Sequence, residues 1–369
     1  MSRISRFVVA CTFVLALTSA LQAAEKTTGL DQSGKAELKS AGPLAFGPEG
    51  VLFVADPQGA AIYAIGVEAA SKSQAADEFK LAGIDAKVAA LLGTKADDIL
   101  INDLAVQPNS GIAYLSVSRG KGPSAEAAVL KVTADGKVSA LSLDKVSYAK
   151  VALANAPSAE AKDKRGNSQR QEAITDLAWV DGRLFIAGLS NEEFASKLRA
   201  IAFPFQSADD GTSVEIYHGA HGGFETRAPI RTFVPFNVGG EPQLLAAYTC
   251  TPLVTFPVSE LKAGAKLRGT TIAELGNRNR PLDIIAYEKD GKNFLLLANS
   301  ARGVMKISTD NIEKQKGITE KINDKAGLGY ETLDKLQGVE HLDRLGDKLA
   351  LLLVRTKAGA LNLESIALP

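Results

Sequence analysis

A strand–turn–strand pattern recurs six times along the 369 residues of this chain, and it restricts the fold more than any other feature. Each copy has a short apolar segment, a turn marked by Gly, Pro, Asn or Asp, and a second segment that is almost entirely apolar. The clearer copies begin at Gly42, Asn102, Thr175 and Leu282, and the looser ones at Arg231 and Val339. Continuous apolar runs of about six residues between turn signals are typical of strands buried on both faces.

A third apolar segment follows each copy, and a more polar fourth segment follows several of them. The third segments are residues 60–65, 129–132, 198–203, 253–258, 304–307 and 361–366. The clearest fourth segments are residues 138–143, 214–217 and 270–275. Four strands graded from buried to exposed are typical of one propeller blade. The sequence therefore predicts an all-β chain that folds as a six-bladed β-propeller with four-stranded blades.

The two ends of the repeat predict how the ring closes. The sixth copy ends at Pro369 with no room for a fourth strand. Residues 35–39 precede the first inner strand, and we expect this N-terminal strand to pair with the last blade. Such pairing would remove the open sheet edges at which β-proteins aggregate. The inner strands are expected to begin near residues 43, 102, 173, 230, 281 and 337.

Two insertions interrupt the repeat. Residues 83–93 are predicted to form a short helical insertion, because Ile84, Val88 and Leu91 recur at helical spacing and Gly93 follows as a helix-ending residue. Residues 155–171 are rich in polar residues and contain few apolar ones. We predict that this second insertion is a mobile loop.

The first 23 residues have the pattern of a secretory signal peptide. Arg3 and Arg6 supply a basic end, residues 7–17 are apolar, and small residues lead to Ala23. The apolar run is shorter than the roughly 20 residues that span a bilayer. We therefore predict that residues 24–369 form one exported β-propeller domain without a membrane span, in the periplasm or outside the cell. Cys250 would be its only cysteine, which excludes an intramolecular disulfide.

The charge balance restricts the class of partner. The chain has 42 Lys and Arg residues and 42 Asp and Glu residues, so it lacks the basic excess typical of nucleic-acid binding. It also lacks a haem-attachment motif, a phosphate-binding glycine loop and a nucleophile elbow. We therefore expect no nucleic-acid partner. The expected partner is a small polar or anionic ligand or another exported protein, bound by a monomer.

Residues 46–56, with the sequence FGPEGVLFVAD, resemble the repeat of the NHL and SMP-30/gluconolactonase group of six-bladed propellers. The resemblance implies the fold, whereas function depends on the site. It also implies one divalent cation at the axis, held by Glu, Asn and Asp, with Asn102 and Asp283 matching the latter two. The glutamate of the first blade is absent, since Ala41-Gly42-Pro43 stands in its place. This departure argues against a lactonase.

The loops that lead into the inner strands share one face with the loops between second and third strands, and we call this the loop face. The candidate ligand-binding residues on these loops are Asn102, Asp103, Arg119, Asp176, Arg227, Arg280, Asp283, Asn299, Arg302, Glu340 and Arg355. Such a mouth suits a polar or anionic ligand, because a guanidinium pairs with carboxylate or phosphate at two points. The alternative is that these are solvated loop residues and turn formers.

Residues 217–227, with the sequence YHGAHGGFETR, contain two of the three histidines. His218, His221 and Glu225 are candidate ligands of a divalent transition metal, because imidazole and carboxylate are both zinc ligands. His341 begins the last inner strand and is a candidate to reach the same site. The same imidazole and carboxylate groups would also suit a general base and the residue that orients it. The alternative is a glycine-rich connection whose histidines bond to the backbone.

Two hypotheses of different classes follow. The first is an exported binding protein that recognises its ligand or partner on the loop face. The second is a metal-assisted hydrolase of lactone or ester type, or an oxidoreductase, whose active site at the axis uses Asp283 and the four metal candidates. The second hypothesis requires these side chains to converge within about 5 Å of one point. The absence of a catalytic motif favours the first, and no residue is assigned a catalytic role.

Overall fold

The computed structural model describes residues 29–48, 50–69, 78–250 and 252–369, and the predicted signal peptide lies outside this part of the chain. The described residues form six antiparallel sheets arranged as a six-bladed β-propeller, which confirms the predicted fold class. The first three strands of each blade are consecutive, with the innermost strand first. They are Leu44–Phe46, Val51–Asp56 and Ala61–Gly66 in blade 1; Ile99–Val106, Ala113–Arg119 and Glu126–Val132 in blade 2; Asp176–Val180, Arg183–Leu189 and Ser196–Ala202 in blade 3; Thr232–Val238, Glu241–Ala247 and Pro252–Pro257 in blade 4; Pro281–Lys289, Lys292–Asn299 and Gly303–Ser308 in blade 5; and Val339–Leu345, Leu349–Arg355 and Leu361–Ala367 in blade 6.

The outer strands of blades 2 to 5 follow their blades along the chain. They are Val138–Ala140, Thr212–His218, Thr270–Leu275 and Tyr330–Leu333. Three short strands extend the edges of blades 3 and 4, namely Gly223–Glu225, Lys266–Arg268 and Lys325–Gly327. The second strand of each blade packs against both neighbouring blades, so all six residues of Val51–Asp56 are buried. This burial on both faces explains the continuous apolar runs of the sequence.

The outer strands of blades 1 and 6 come from distant parts of the chain. Lys80–Leu81 completes blade 6 by pairing with Leu361–Ala367. Val146–Ala152 completes blade 1 by pairing with Ala61–Gly66, and Gln32–Gly34 pairs beyond it. The prediction that residues 35–39 complete the last blade is therefore wrong.

Residues 35–39 lie instead beside blades 1 and 2. The Ala36 N–H donates to the carbonyl oxygen of Leu143, and the Ala36 side chain is buried in the cluster between these two blades. The strand that takes the predicted place, Lys80–Leu81, has only two residues. A segment of that length cannot show the alternation by which a strand is recognised in a sequence.

The blades do not follow one another around the ring in chain order. The contacts between inner strands give the circular order 1, 2, 6, 5, 4, 3. The buried hydrophobic clusters agree, because one cluster joins blades 2 and 6 and another joins blades 1 and 3. The chain builds blade 2 on one side of blade 1, returns through strand Val146–Ala152, and builds blade 3 on the other side. Blades 3 and 6 therefore lie opposite each other across the axis.

The helix Ile84–Leu91 occupies the interface between blades 2 and 6, where Ile84 and Val88 are buried. Gly93 follows in the left-handed region with φ of 65°, as the predicted helix end requires. Residues 155–171 contain a single isolated bridge, between Lys162 and Ser168. The short 3₁₀ helices are Ala96–Asp98, Gly122–Ser124, Arg170–Glu172, Val258–Glu260 and Ile312–Lys314. Within the described ranges, no helix is long and apolar enough to cross a membrane.

Candidate functional site

The inner strands surround a central channel that opens on both faces of the ring. The cavity on the loop face has a volume of about 1050 Å³, and the cavity at the opposite end has a volume of about 930 Å³. Asp103, Asp176 and Asp283 line both cavities, so their carboxylates mark the waist of the channel. Each of these aspartates stands at the same position of its blade's inner strand, immediately before an apolar residue.

The waist aspartates tie neighbouring blades together. In each, one carboxylate oxygen accepts the N–H of the next residue, and the other accepts an N–H from the inner strand of an adjacent blade. The bonds from the adjacent blade are 2.7–2.9 Å long. They run from the backbone N–H of Leu44 to Asp103, from that of Phe233 to Asp176 and from that of Leu342 to Asp283. Asp343 of blade 6 is bonded in the same way, since its carboxylate accepts the N–H of the next residue, Arg344, and the N–H of Val106 in blade 2. The three predicted ligand-binding aspartates, Asp103, Asp176 and Asp283, therefore have a structural function as hydrogen-bonded links between blades.

His341 lies between two of these carboxylates. Its Nδ1 atom is 3.4 Å from Asp103 Oδ1 and 3.7 Å from Asp283 Oδ2. Burial disfavours the charged imidazole, but the hydrogen bonding and negative charge of Asp103 and Asp283 outweigh it and raise the pKa of His341 to about 10. The side chain is therefore an imidazolium at neutral pH, and it supplies the positive charge at the waist.

The other aspartates of the waist hold their protons more strongly than an exposed carboxyl does. Burial, together with the charges of Asp283 and Asp103, raises the pKa of Asp176 well above its ordinary value. The same causes raise the pKa of Asp343 to about 7. Burial also raises the pKa of Asp283, against the opposing effect of His341. Burial and mutual repulsion thus make these carboxyls harder to ionise than exposed ones, and Asp343 titrates near neutral pH.

The axial divalent cation implied by the family resemblance does not fit these residues. Asp103, Asp283 and His341 do have ligand atoms within 4.8 Å of one another. However, all four carboxylate oxygens already accept backbone N–H groups, and the imidazolium occupies the space between them. The amide nitrogen of Asn102 donates to the Ala41 carbonyl and to Ser118 Oγ, which holds that side chain in a structural role.

The protonated waist predicts how stability depends on pH. The pKa of His341 rises from 6.5 to about 10 on folding, so the folded chain binds more protons than the unfolded chain between these values. The stabilisation by His341 is fully present below 6.5, the pKa of the unfolded chain, and is lost as the pH rises through about 10, the pKa of the folded chain. The raised pKa values of Asp176 and Asp283 likewise make stability fall as the pH rises. Calorimetry should show Tm falling by about 4 °C from pH 7 to pH 10. The fall should be smaller in His341→Gln, and an equal fall in both proteins would contradict the assignment.

The mouth of the channel on the loop face carries three arginines. Arg355 forms a two-point ion pair with Glu340, at 2.5 and 2.9 Å, and Arg231 Nη1 lies 2.5 Å from Glu172 Oε2. The guanidinium of Arg280 has no ion pair among the described residues. Burial and the positive charge of Arg231 lower the pKa of Arg280, although it stays protonated at neutral pH. Arg280 thus makes no ion pair of its own, although the negative charge of Glu172, which pairs with Arg231, acts on its pKa in the opposite direction.

The structure gathers most of the predicted ligand-binding residues at this mouth. Those that line it are Asn102, Asp103, Asp176, Arg280, Asp283, Asn299, Glu340 and Arg355. The amide of Asn299 is already bonded to Asn279 and to the following turn. Arg119 pairs instead with Glu126, Arg302 donates to the Asn277 carbonyl, and Arg227 is exposed on the connection between blades 3 and 4.

A second polar group lies at the outer edge between blades 3 and 4. Two histidines and a glutamate, His218, His221 and Glu225, have ligand atoms within 4.8 Å of one another. Glu274, on the outer strand of blade 4, accepts the N–H of Gly219 at 2.6 Å and so approaches the same place. We call these four residues the edge cluster. Burial acts to raise the pKa of Glu225, but the hydrogen bonds and electrostatic attraction of the two histidines together outweigh burial and lower it.

His341 is not part of the edge cluster. It lies on the inner strand of blade 6, which is opposite blade 3 in the ring, whereas His218 ends the outer strand of blade 3. The prediction that all three histidines reach one axial site is therefore wrong. The reason is the distance from the axis, because His218 ends an outer strand whereas His341 belongs to an inner strand that lines the channel.

Three residues of these two sites are not predicted from the sequence. Arg231 belongs to one of the two looser copies of the repeat, and Asp343 stands two positions after His341, outside the repeat position that the other waist aspartates share. Glu274 lies in the strand Thr270–Leu275, between buried apolar residues. The sequence around this carboxylate does not indicate that it lies near the histidines of blade 3.

No protein-family model and no curated protein sequence matches this chain. Among solved structures, the chain is similar to the hydrazine synthase of Kuenenia stuttgartiensis, with 10% identity, 87% of this chain and 75% of that chain covered, and a TM-score of 0.35. It is also similar to the periplasmic gluconolactonase of Pseudomonas aeruginosa, with 10% identity, coverages of 89% and 85%, and a TM-score of 0.33. The PQQ-bound aldose sugar dehydrogenase of Streptomyces coelicolor gives 10% identity, coverages of 91% and 96%, and a TM-score of 0.33. At TM-scores this low, the likenesses carry no argument about function, and membership of the NHL or SMP-30/gluconolactonase group is not confirmed.

Proposed function

We propose that this protein is an exported binding protein that holds a small anionic ligand in the loop-face mouth of its axial channel. The observation that carries this proposal is the Arg280 guanidinium, which lines the mouth without an ion pair among the described residues. The charge of Arg231 lowers the pKa of Arg280 and that of Glu172 raises it, so Glu172 offsets part of the repulsion between the two guanidinium groups. A bound anion would give Arg280 an ion pair of its own.

The surroundings suit an organic anion with further polar groups. The cavity of about 1050 Å³ is of the size that holds small organic ligands. A carboxylate or phosphate accepts two parallel N–H bonds from a guanidinium, which a neutral group does not do as well. Hydroxyl groups of the same ligand would meet the polar wall that Asn362 and Thr356 contribute. We therefore infer a small carboxylate or phosphate ester as the ligand class.

The fixed waist below the mouth favours binding over catalysis at the axis. The carboxylates of Asp103, Asp176 and Asp283 are engaged with backbone N–H groups. None of them is therefore poised as a free base in the channel. The alternative hypothesis, a metal-assisted hydrolase or oxidoreductase at the axis, also loses its proposed ligands, because His218, His221 and Glu225 lie at the outer edge of blade 3.

Replacing Arg280 by glutamine should weaken anion binding by about 10- to 100-fold, because charge-assisted hydrogen bonds contribute about 1.5–3 kcal/mol. Isothermal titration calorimetry at low salt would compare D-glucuronate, inorganic phosphate and D-glucose as probes. We expect binding of the two anions and not of glucose, which differs from glucuronate in lacking the carboxylate.

Arg183→Gln is the matched control for that experiment. Arg183 begins the second strand of blade 3 at the opposite face of the ring, where its guanidinium lies over the Phe185 ring. The control should bind the anions as the unchanged protein does. Equal weakening in both variants, or no anion binding by the unchanged protein, would refute the proposal.

A further inference from the structure

We propose that His218, His221 and Glu225 bind one divalent transition-metal ion of the zinc class at the edge between blades 3 and 4. The site is distinct from the channel mouth, and its existence does not depend on the anion binding proposed there. The three residues come from one short hairpin, and Glu274 faces them from the neighbouring blade.

The backbone of the hairpin brings the three side chains together. Strand Thr212–His218 pairs with Gly223–Glu225, so that His218 is opposite Gly223 and Glu225 is opposite Ile216. The turn between the strands is closed by bonds from the His221 and Gly222 N–H groups to the His218 carbonyl. The ligand set is thus fixed by local hydrogen bonds and does not depend on long-range packing.

The distances suit a tetrahedral ion after a small adjustment. The His218 Nδ1 atom lies 3.1 Å from Glu225 Oε2, and the His221 Nδ1 atom lies 2.5 Å from Glu225 Oε1. Ligand atoms around a tetrahedral zinc ion, with bonds of 2.0–2.2 Å, are about 3.3–3.6 Å apart. An opening of about 1 Å or less therefore makes room for the ion. Two imidazoles and a carboxylate favour zinc and its neighbours over magnesium or calcium, which prefer oxygen ligands alone.

Buried polar atoms without partners supply an independent indication of a ligand. His218 is only 2% exposed, and its Nε2 atom makes no hydrogen bond with the described residues, whereas its Nδ1 atom faces Glu225 Oε2 at 3.1 Å. Glu274 is 1% exposed, and its Oε2 atom has no hydrogen-bond partner there either. Buried polar groups are nearly always bonded, so the unmet Glu274 Oε2 atom calls for a donor. A water molecule bound to the metal ion would supply it.

The site has a closed side and an open side. The closed side is formed by His218 and by Glu274, which packs against the backbone of Gly219, where any Cβ would lie 2.9 Å from Glu274 Oε1. On the open side, the His221 side chain is 56% exposed. Three protein ligands leave a fourth position, and sites with an open position exchange water and accept small ligands. Glu274 is placed to accept a hydrogen bond from water in that position, as outer carboxylates do in metal sites.

The test is a titration with Zn²⁺ alone. The chain would be produced without a polyhistidine tag, treated with a chelator, dialysed and titrated with Zn²⁺, with Co²⁺ absorbance as a second reading of tetrahedral coordination. We expect one equivalent of metal, and a loss of at least 100-fold in affinity for His221→Ala. Because the His221 side chain is largely exposed, this variant is expected to fold, which circular dichroism would verify.

Two matched controls separate this site from adventitious binding. His341→Gln removes the histidine of the opposite blade and should leave Zn²⁺ affinity unchanged. Glu225→Gln should weaken binding, whereas Glu215→Gln, on the same outer strand but paired with Arg268, should not. The proposal is overturned if the unchanged chain binds no Zn²⁺, if His341→Gln abolishes binding, or if both glutamate variants behave alike. Failure here leaves the Arg280 experiment untouched, because that readout is anion affinity.

Discussion

Replacing Asp103 by alanine is expected to lower the free energy of unfolding by about 3–5 kcal/mol, the cost of removing one partner from a buried charged network. Asp103 accepts N–H groups from Leu44 in blade 1 and from Leu104 in its own strand. It also lies 3.4 Å from the His341 imidazolium of blade 6. Its loss therefore leaves two N–H donors without their acceptor and removes one of the two carboxylates beside the His341 imidazolium. Urea unfolding, followed by circular dichroism, measures the difference.

Asp97→Ala is the control for that measurement. Asp97 is exposed on the 3₁₀ helix before the same inner strand, and its replacement should change stability by no more than about 0.5 kcal/mol. Asp176→Ala provides a graded comparison, because Asp176 ties blade 3 to blade 4 without a histidine beside it. If Asp103→Ala costs no more than Asp97→Ala, the waist aspartates do not hold the blades together.

Gly188→Ala is expected to destabilise the chain by at least about 4 kcal/mol or to prevent folding, because the added methyl group meets backbone. An ideal Cβ at Gly188 would lie 2.0 Å from the Ala173 carbonyl oxygen and 2.6 Å from its carbonyl carbon. Ala173 is itself buried at the start of blade 3, so neither segment can move away cheaply. Thermal unfolding of the purified variant, or its recovery as insoluble protein, gives the result.

The comparison for Gly188 is Gly329→Ala. Gly329 has no heavy atom within 4 Å of its ideal Cβ and no positive φ, so alanine should be tolerated there. A stable, soluble Gly188→Ala protein would mean that the second strand of blade 3 and the segment at Ala173, just before the inner strand, are further apart than the structure places them.

The sequence predicts the content of each blade well and the connections between blades poorly. The inner strand of blade 5 begins at Pro281, as predicted, because its apolar run follows a clear turn signal. Short edge strands such as Lys80–Leu81 lack that signal, since pairing alone defines them. The circular order of the blades is decided by which apolar faces meet, and faces of similar composition do not identify their partners in a single sequence.

The same limit applies to the candidate sites. His218, His221 and Glu225 can be recognised because one hairpin brings them together, so their spacing in sequence reflects their spacing in space. Arg280 is recognisable as a loop-face residue, but its lack of an ion pair depends on the positions of Glu172 and Glu340 in other blades. Long-range placement also makes His341 part of the waist, through carboxylates contributed by blades 2 and 5.

The crossed route of the chain has a consequence for how the protein is made. Blade 6 is synthesised last, yet its edge is completed by a segment near the other end, where Phe79 and Ser365 bond across 286 positions. Blade 1 likewise waits for Val146–Ala152, which emerges only after all of blade 2. Because such distant pairings must form before the ring is complete, folding should be slow and all-or-none. Blades 1 and 6 take their outer strands from distant segments, so neither of them can be gained or lost by duplicating or deleting a single repeat.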